Sequence, residues 1–377
     1  MTQKELESLT DFRQKLHQHP ELSNEEKETA IMVKDFFEPL KPDKVYDKLG
    51  GHGVAFKFEG QEDGPTTMIR CELDGLPIAD LSEAKHASTN QGISHSCGHD
   101  GHMAIVAGMG KHLSANRPLK GNVVLLFQPA EETGEGAERV IKDKKYKEIQ
   151  PDYAFALHNL PGYPEKQVVI KKGPFAAAST GMIIQLTGKT SHAGHPEDGL
   201  SPAVAMSTLM VGLPLLPESM KDFALITVVH AQLGKRAFGT SPGKATVMAT
   251  LRSFDNDTLA ALTGYAEALA KKVAEENKLQ IEISYTESFA ATENSPEAHK
   301  LVKDAAKRLG LKTKNIRIPF RWSEDFGHFS QATQTALFGL GAGKKQPQLH
   351  EPTYDFPDEI IGTGVDIFVE TLKELHY

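Results

Sequence analysis

The 377-residue sequence predicts an α/β protein in two parts: a large domain around a mixed central sheet, and a ferredoxin-like βαββαβ domain inserted into it. Three observations carry this reading. Apolar runs of strand length at residues 53–58, 66–71, 122–127 and 153–157 share the first half with helix-like stretches. From about Thr180 the order becomes strand, helix, strand, strand, helix, strand, which is a complete small domain. After Asn294 helix and strand alternate again, including the strand 335–340. The expected division is therefore 1–179 with 291–377 for the large domain and 180–290 for the insertion.

Taken in order, the first 45 residues read as helical, because Val33, Phe36, Phe37 and Leu40 recur at helical spacing and Pro39 and Pro42 close the segment. Within it, His17-Gln18-His19-Pro20-Glu21 offers two imidazoles and a carboxylate, but Pro20 breaks any ligand-bearing helix face. This stretch reads as a structural helix end. The strand 66–71 runs into the acidic turn Glu72-Leu73-Asp74-Gly75-Leu76-Pro77. Next comes His95-Ser96-Cys97-Gly98-His99-Asp100-Gly101-His102, where a thiol and imidazoles have the spacing of metal ligands, and Met103 opens a helix-like apolar segment. Strand 122–127 delivers Gln128-Pro129-Ala130-Glu131-Glu132, and strand 153–157 ends in His158-Asn159. Ligands gather at the carboxyl ends of strands in open α/β sheets, and three such ends here carry acids and imidazoles. The insertion reads as strand 182–186, helix 202–213, strands 224–230 and 245–251, helix 258–276 and strand 280–285. The last third reaches Leu349-His350-Glu351-Pro352.

Composition narrows the partners. Hydrophobic residues make up 39%, enough for a large core, and 42 Lys and Arg against 50 Asp and Glu leave a net charge of −8. With no long basic run, neither nucleic acid nor an anionic membrane is the expected partner, which leaves a small molecule. Cys71 and Cys97 cannot build a disulfide framework, and a cysteine used as a metal ligand must stay reduced, so the expected location is cytoplasmic. The opening MTQKELESLT lacks the apolar centre of a signal peptide.

Metal-assisted hydrolysis needs deprotonatable ligands, an open coordination position and a free carboxylate to take a proton from water. Cys97, His99, Glu131, Glu132, His158 and His350 are the candidates. Each alone is of a kind more often found as a core or solvated residue, so it is their joint arrival at strand ends that argues for a metal site. Neighbouring side chains leaving a strand point different ways, so one of the paired glutamates can bind metal while the other faces substrate. Imidazole, carboxylate and thiolate together suit Zn, Mn, Co or Ni.

The motifs SCGHDGH, QPAEETGEG, ALHN, SHAGHPEDG, WSEDF and LHEPTYDF, in this order along nearly the whole chain, resemble those of the metal-dependent amidohydrolase family. That family contains hippurate hydrolase, bacterial N-acyl-amino-acid amidohydrolases, N-acetyl-diaminopimelate deacetylase and plant auxin-conjugate hydrolases. The resemblance implies a catalytic domain with an inserted lid or dimerisation domain, two divalent ions per chain, and hydrolysis of the amide bond of a small N-acyl amino acid. It implies that Cys97 bridges the ions, that Glu132 and His350 complete one site and His99 and His158 the other, and that Glu131 is the general base toward a metal-bound hydroxide. Asp74 would hold an imidazole ligand in place. In the insertion, His192 would stabilise an oxyanion, often in a partner subunit of a homodimer, and Arg252 would bind a substrate carboxylate bidentately. His102 and His195 are read as structural or supporting. Two positions depart from the family pattern: Glu72 stands where aspartate is usual, and Gly239 where asparagine is usual, which puts the acyl-amino-acid preference in question. Other readings are a dipeptidase or carboxypeptidase of the same clan, and a non-catalytic metal- or ligand-binding relative. Retention of Glu131 argues against the last.

Overall fold

The computed structural model describes residues 1–377. The chain begins with α1 (Gln3–Gln18), α2 (Lys27–Phe37), β1 (Lys44–Leu49), β2 (Gly53–Glu59), β3 (Glu62–Glu72), α3 (His99–Ala115) and β4 (Lys120–Gln128). It continues through α4 (Gly136–Lys142), β5 (Tyr153–Pro161), β6 (Val168–Ile170), β7 (Gly173–Ala176), β8 (Ala178–Thr187), β9 (Ser191–His192) and α5 (Ala203–Gly212). Then follow β10 (Ala224–Leu233), β11 (Thr240–Ser241), β12 (Lys244–Ser253), α6 (Asn256–Glu276) and β13 (Gln280–Phe289). The chain closes with β14 (Thr292–Asn294), α7 (Pro296–Arg308), β15 (Thr313–Asn315), β16 (Gln334–Gly343) and α8 (Ile361–His376).

Two compact units result. The first is Met1–Phe175, Thr292–Pro319 and Glu324–Tyr377; the second is Ala176–Ala291 with Phe320–Ser323. The short segment Phe320–Ser323, which the sequence pattern leaves in the large domain, joins the second unit through bonds to its main-chain carbonyls. Ala177 N–H donates to the Trp322 carbonyl at 3.0 Å, and Arg252 Nη1 donates to the Arg321 carbonyl at 2.9 Å.

The first unit is built on an eight-stranded mixed sheet in the order β1-β2-β4-β3-β5-β16-β6-β15. Its centre, β4-β3-β5-β16, is parallel, so the carboxyl ends of these four strands lie on one edge. These strands read as continuous apolar runs because helices cover such sheets on both faces: every residue of β4 from Val123 to Gln128 is buried. The apolar residues of α1, α3, α7 and α8 join the same core as one side of the sheet. Burying each such side chain stabilises by about 1.5–3 kcal/mol before conformational entropy is counted.

Helix ends follow local chemistry. Thr2 and Glu5 form a capping box on α1, which stops before Pro20, and Ser295 caps α7 with Pro296 in its first turn. The expected helical character of the first 45 residues holds for two helices, but Lys44 and Val45 already belong to β1, an edge strand that buries only Tyr46 and Leu49. The expected strand end before His158 also differs. β5 runs on to Pro161 because β16 keeps pairing with it, with Gly339 opposite His158.

The second unit is a four-stranded antiparallel sheet in the order β10-β12-β8-β13. The elements follow the predicted order βαββαβ, as β8, α5, β10, β12, α6 and β13, with the short strands β9 and β11 as additions. Met182, Ile184 and Leu186 of β8 and Val247, Ala249 and Leu251 of β12 pack with Leu209 of α5 and Leu262 and Ala266 of α6. Each strand contributes alternate residues, as a sheet with one covered face requires. Asp255 caps α6 by accepting from Thr258 N–H at 2.7 Å. No helix is long and apolar enough to cross a membrane.

Candidate metal centre

The candidate ligands sit where the parallel strands end. Glu131 and Glu132 follow β4, His158 lies near the end of β5, His350 lies in the segment after β16, and Cys97 and His99 flank the start of α3. Two of these turns take left-handed backbone at residues other than glycine, Ala130 (φ 50°) and His350 itself (φ 66°). Such backbone costs energy and persists where the surroundings impose it. Glu26 holds the first turn, since its Oε1 accepts from Ala130 N–H at 2.7 Å; the second is held by the bond from His350 N–H to the Ser96 carbonyl at 2.9 Å. Gly98, between Cys97 and His99, must be glycine for two reasons: its φ is 90°, and a Cβ there would collide with the Asn159 amide.

The donor atoms converge in several overlapping groups, two of which share Cys97. Cys97 Sγ is near His99 and His158 in one and near Glu132 and His350 in the other, each set of ligand atoms lying within 4.8 Å of one another. His158 Nε2 is 3.6 Å from Cys97 Sγ. His350 Nε2 is 3.9 Å from Glu132 Oε1, and His99 Nε2 is 3.8 Å from the same oxygen. Both buried imidazoles have Nδ1 tied to a main-chain carbonyl, His99 to Asp74 at 2.8 Å and His158 to Asn159 at 2.9 Å. Each therefore donates from Nδ1 and turns Nε2 toward the cluster, the orientation a metal ligand needs once that nitrogen is unprotonated.

Asp74 supports this arrangement, though through its main chain. Its carbonyl orients His99, while its carboxylate is 3.5 Å from that ring and accepts from Ser23 Oγ at 2.7 Å and from Glu132 N–H at 3.0 Å.

The electrostatics explain what such a cluster lacks. Burial, then the charges of Glu324, Glu132 and Asp325, push the Glu131 carboxyl well above its usual range against the pull of Arg70. Burial also pushes Glu132 up to about 7, although His99 opposes it. The Cys97 thiol is driven up by burial and by Glu132, Glu131 and Glu72. Burial disfavours charge on His99, but Asp74, Glu72 and Glu132 prevail and raise it to about 10, whereas burial and nearby His102 lower His158 to about 3. Crowded anions with a single proton-hungry imidazole among them are relieved by added positive charge. The buried atoms His99 Nε2 and Glu132 Oε1 have no hydrogen-bond partner. Leaving each unsatisfied costs about 1–3 kcal/mol. A divalent cation would satisfy both, so the residues fit the metal pair that the resemblance implies.

Beside this cluster lies a second one that sequence reasoning does not reach. Arg70, fully buried on β3, donates from Nη1 to Glu72, from Nη2 to Asp325 and, at 2.8 Å, to Glu324, and from Nε to Gln128 Oε1 at 2.9 Å. Gln128 Nε2 and Ala137 N–H also donate to Asp325, whose own N–H donates to Glu131 Oε1 at 3.3 Å. The signal that could find Arg70 is a lone cation inside the otherwise uncharged stretch 66–71. Glu72, the departure from the family pattern, has a clear task here: its Oε2 lies 2.6 Å from His102 Nδ1, and His102 Nε2 lies 2.6 Å from Asn159 Oδ1. His102 is thus a buried supporting residue.

His192 and Arg252 belong to the second unit. His192 lies on β9, which pairs with β11, is exposed, and accepts from Gly194 N–H on Nδ1 at 3.0 Å. His195 is exposed beside Glu197. Arg252, half-buried on β12, donates from Nη1 to the Arg321 carbonyl and to Ser323 Oγ at 3.1 Å. A Cβ at Gly239 would meet nothing within 4 Å.

Residues 68–374 match the family described as Peptidase family M20/M25/M40, and the chain belongs to that family of hydrolases. The expected kinship with amidohydrolases holds among its relatives. The chain is 28% identical to the hippurate hydrolase of Campylobacter jejuni, over 95% of this chain and 94% of that protein. It is 28% identical to the N-acetylcysteine deacetylase of Bacillus subtilis, over 96% and 95% respectively. Among solved structures it resembles the Bacillus subtilis YXEP protein, described as a dinuclear metal binding peptidase from the M20 family. That likeness has a TM-score of 0.84 and 25% identity and covers 98% of both chains.

Proposed function

We propose that this protein is a binuclear metal-dependent amidohydrolase that releases the acyl group from an N-acyl amino acid. The observation that carries the reading is Cys97 standing at the overlap of two donor groups, with Glu131 in neither of these, although it groups with His99 and Glu132 in a third. Two divalent ions held by Cys97, His99, His158, Glu132 and His350 would supply Lewis acidity to an amide carbonyl and acidify water. Glu131 takes the proton of the attacking water and passes it to the departing amine, so that acid and free amino acid leave. Asp74 and Asn159 keep the two imidazoles in the ligating tautomer through their carbonyls. From the second unit, His192 stabilises the oxyanion and Arg252 pairs with the substrate carboxylate; full turnover by a His192→Ala variant would remove the former role.

Two relatives named for hydrolysis of N-acyl amino acids, over nearly the full chain, support this substrate class. A homodimer through the second unit is part of the reading. It is supported by the exposed Val204 and Val211 of α5, by Leu215, and by Val229 on the edge strand β10. Sedimentation of Val211→Asp tests that part, and a parent protein that runs as a monomer refutes it.

The decisive experiment is turnover of N-acetyl, N-benzoyl and indole-acetyl amino acids, beside dipeptides with a free amino terminus, in Zn, Mn, Co and Ni. The expected result is hydrolysis of one acyl class and slower hydrolysis of dipeptides. Cleavage of dipeptides alone would overturn the assignment.

A further inference from the structure

The segment after β16 must place His350 although it has no sheet or helix of its own before Asp358. Four of the ties that hold it reach other parts of the first unit. Leu81 N–H donates to the Pro352 carbonyl at 2.7 Å, Asn159 Nδ2 donates to Tyr354 Oη, and buried Phe356 lies against Gly101 of α3, where a Cβ would overlap its ring. The fourth tie is ionic and centres on Arg13, whose side chain is 1% exposed. Arg13 Nε and Nη2 donate to the two oxygens of Asp358 at 2.8 and 3.1 Å, a bidentate pair. Nη1 donates to Asp355 Oδ1 at 2.6 Å and to Asp100 Oδ2 at 3.3 Å. Asp100 follows His99 in α3, and His17 Nδ1, one helical turn beyond Arg13, donates to the same Oδ2 at 2.8 Å.

The geometry points to Arg13 as a positioning residue that fastens the His350 segment to the start of α3, so that one guanidinium, together with the His350–Ser96 main-chain bond, sets the two arms of the metal centre. This inference rests on the reading of His350 as a metal ligand. Three carboxylates from two separate stretches face one cation. Without it, Asp358 would keep only the Gln14 amide at 3.1 Å, Asp355 the His86 ring at 2.9 Å and Asp100 the His17 ring, and no hydrogen bond would bridge the segment's carboxylates to Asp100. Lysine cannot replace it, because a point charge reaches one carboxylate well, whereas the planar fork reaches three. His17 stays with Asp100 in either case, so the loss falls on the His350 arm. The histidine-bearing stretch at the end of α1, which holds none of the candidate ligands, thereby finds its place in the site.

Arg13→Lys and Asp358→Asn in the full chain test this, because both keep a polar group at the position and avoid the severe loss expected of Arg13→Ala. In metal-stripped protein, amide exchange between residues 344 and 356 should be about tenfold faster in both variants while the amides of α3 keep their protection. In titrations with Zn or Mn, one of the two ions should bind about 10–100-fold more weakly and the other as in the parent. Unchanged exchange of that segment in the folded variants overturns the proposal, whatever the metal content. Faster exchange of the segment, in a parent that itself binds no divalent ion, upholds Arg13's hold on the segment and removes the metal centre instead.

Discussion

Two buried acid clusters adjoin each other at the carboxyl edge of the large sheet, and they differ in one respect. Around Arg70, the carboxylates Glu72, Glu324 and Asp325 are bonded to a guanidinium that the chain supplies. Around Cys97, the acids and imidazoles point at one another across 3.6 to 3.9 Å, and two of their buried atoms have no hydrogen bond at all. The same residue types thus serve two purposes. A cluster that contains its own cation is fastened shut, and one that lacks it is arranged to receive a cation from outside. Glu131 stands between them, held on Oε1 by Asp325 N–H and facing His99 with Oε2 at 3.9 Å.

Substitutions on either side should break this contrast in opposite ways. The largest expected effect is at Glu131: Glu131→Gln should lower kcat by about 10²–10⁴-fold and leave both ions bound. Glu132→Gln should instead lose metal, with activity partly restored by excess metal. Metal stoichiometry and kcat of the two variants check this, and the reverse pattern would exchange their roles.

Removing the internal cation should act on folding. Arg70→Met leaves Glu324 and Asp325 without their counter-charge and Glu72 with His102 alone, a loss of about 3–5 kcal/mol that denaturant unfolding of the metal-stripped protein would show. A midpoint equal to that of the parent would mean that the Arg70 cluster is not the fastening described here.

A smaller effect belongs to the second unit. Gly239→Asn meets open space, so it should leave stability unchanged and shift relative kcat/KM between acyl substrates by about 1–3 kcal/mol at most. Identical ratios across a substrate panel would make Gly239 a turn residue only.

A last effect concerns pH. Burial disfavours charge on His17, but Asp100 and Asp80 override it and raise its pKa to about 10. The unfolded value is about 6.5, so between these limits the folded state binds the extra proton. Its contribution to stability is full below about pH 6.5 and is lost as pH rises toward 10, with a slope of at most about 1.4 kcal/mol per pH unit. Stability of the metal-stripped protein should therefore fall less steeply between pH 7 and 10 in His17→Gln than in the parent. Parallel curves would place the proton elsewhere.

Much of this molecule is determined by sequence alone, for a local reason. Strand and helix periods are set by neighbours a few residues apart, and so are the turn glycine at Gly98 and the adjacent Glu131 and Glu132. The candidate donors and the βαββαβ insertion are legible at that range, as is the arrival of acids and imidazoles at the ends of strands. Tertiary structure alone decided which charges meet. Arg70 finds Asp325 across 255 positions, and Arg13 finds Asp355 and Asp358 across 342 and 345. It also decided that His99 is oriented by the Asp74 carbonyl, with the carboxylate turned to Ser23 and Glu132, and that His158 lies inside a strand whose length β16 sets. These pairings follow from strand order and from helices packing on the sheet. A buried guanidinium takes whichever carboxylates the fold brings within about 3 Å, and no spacing along the chain records that choice.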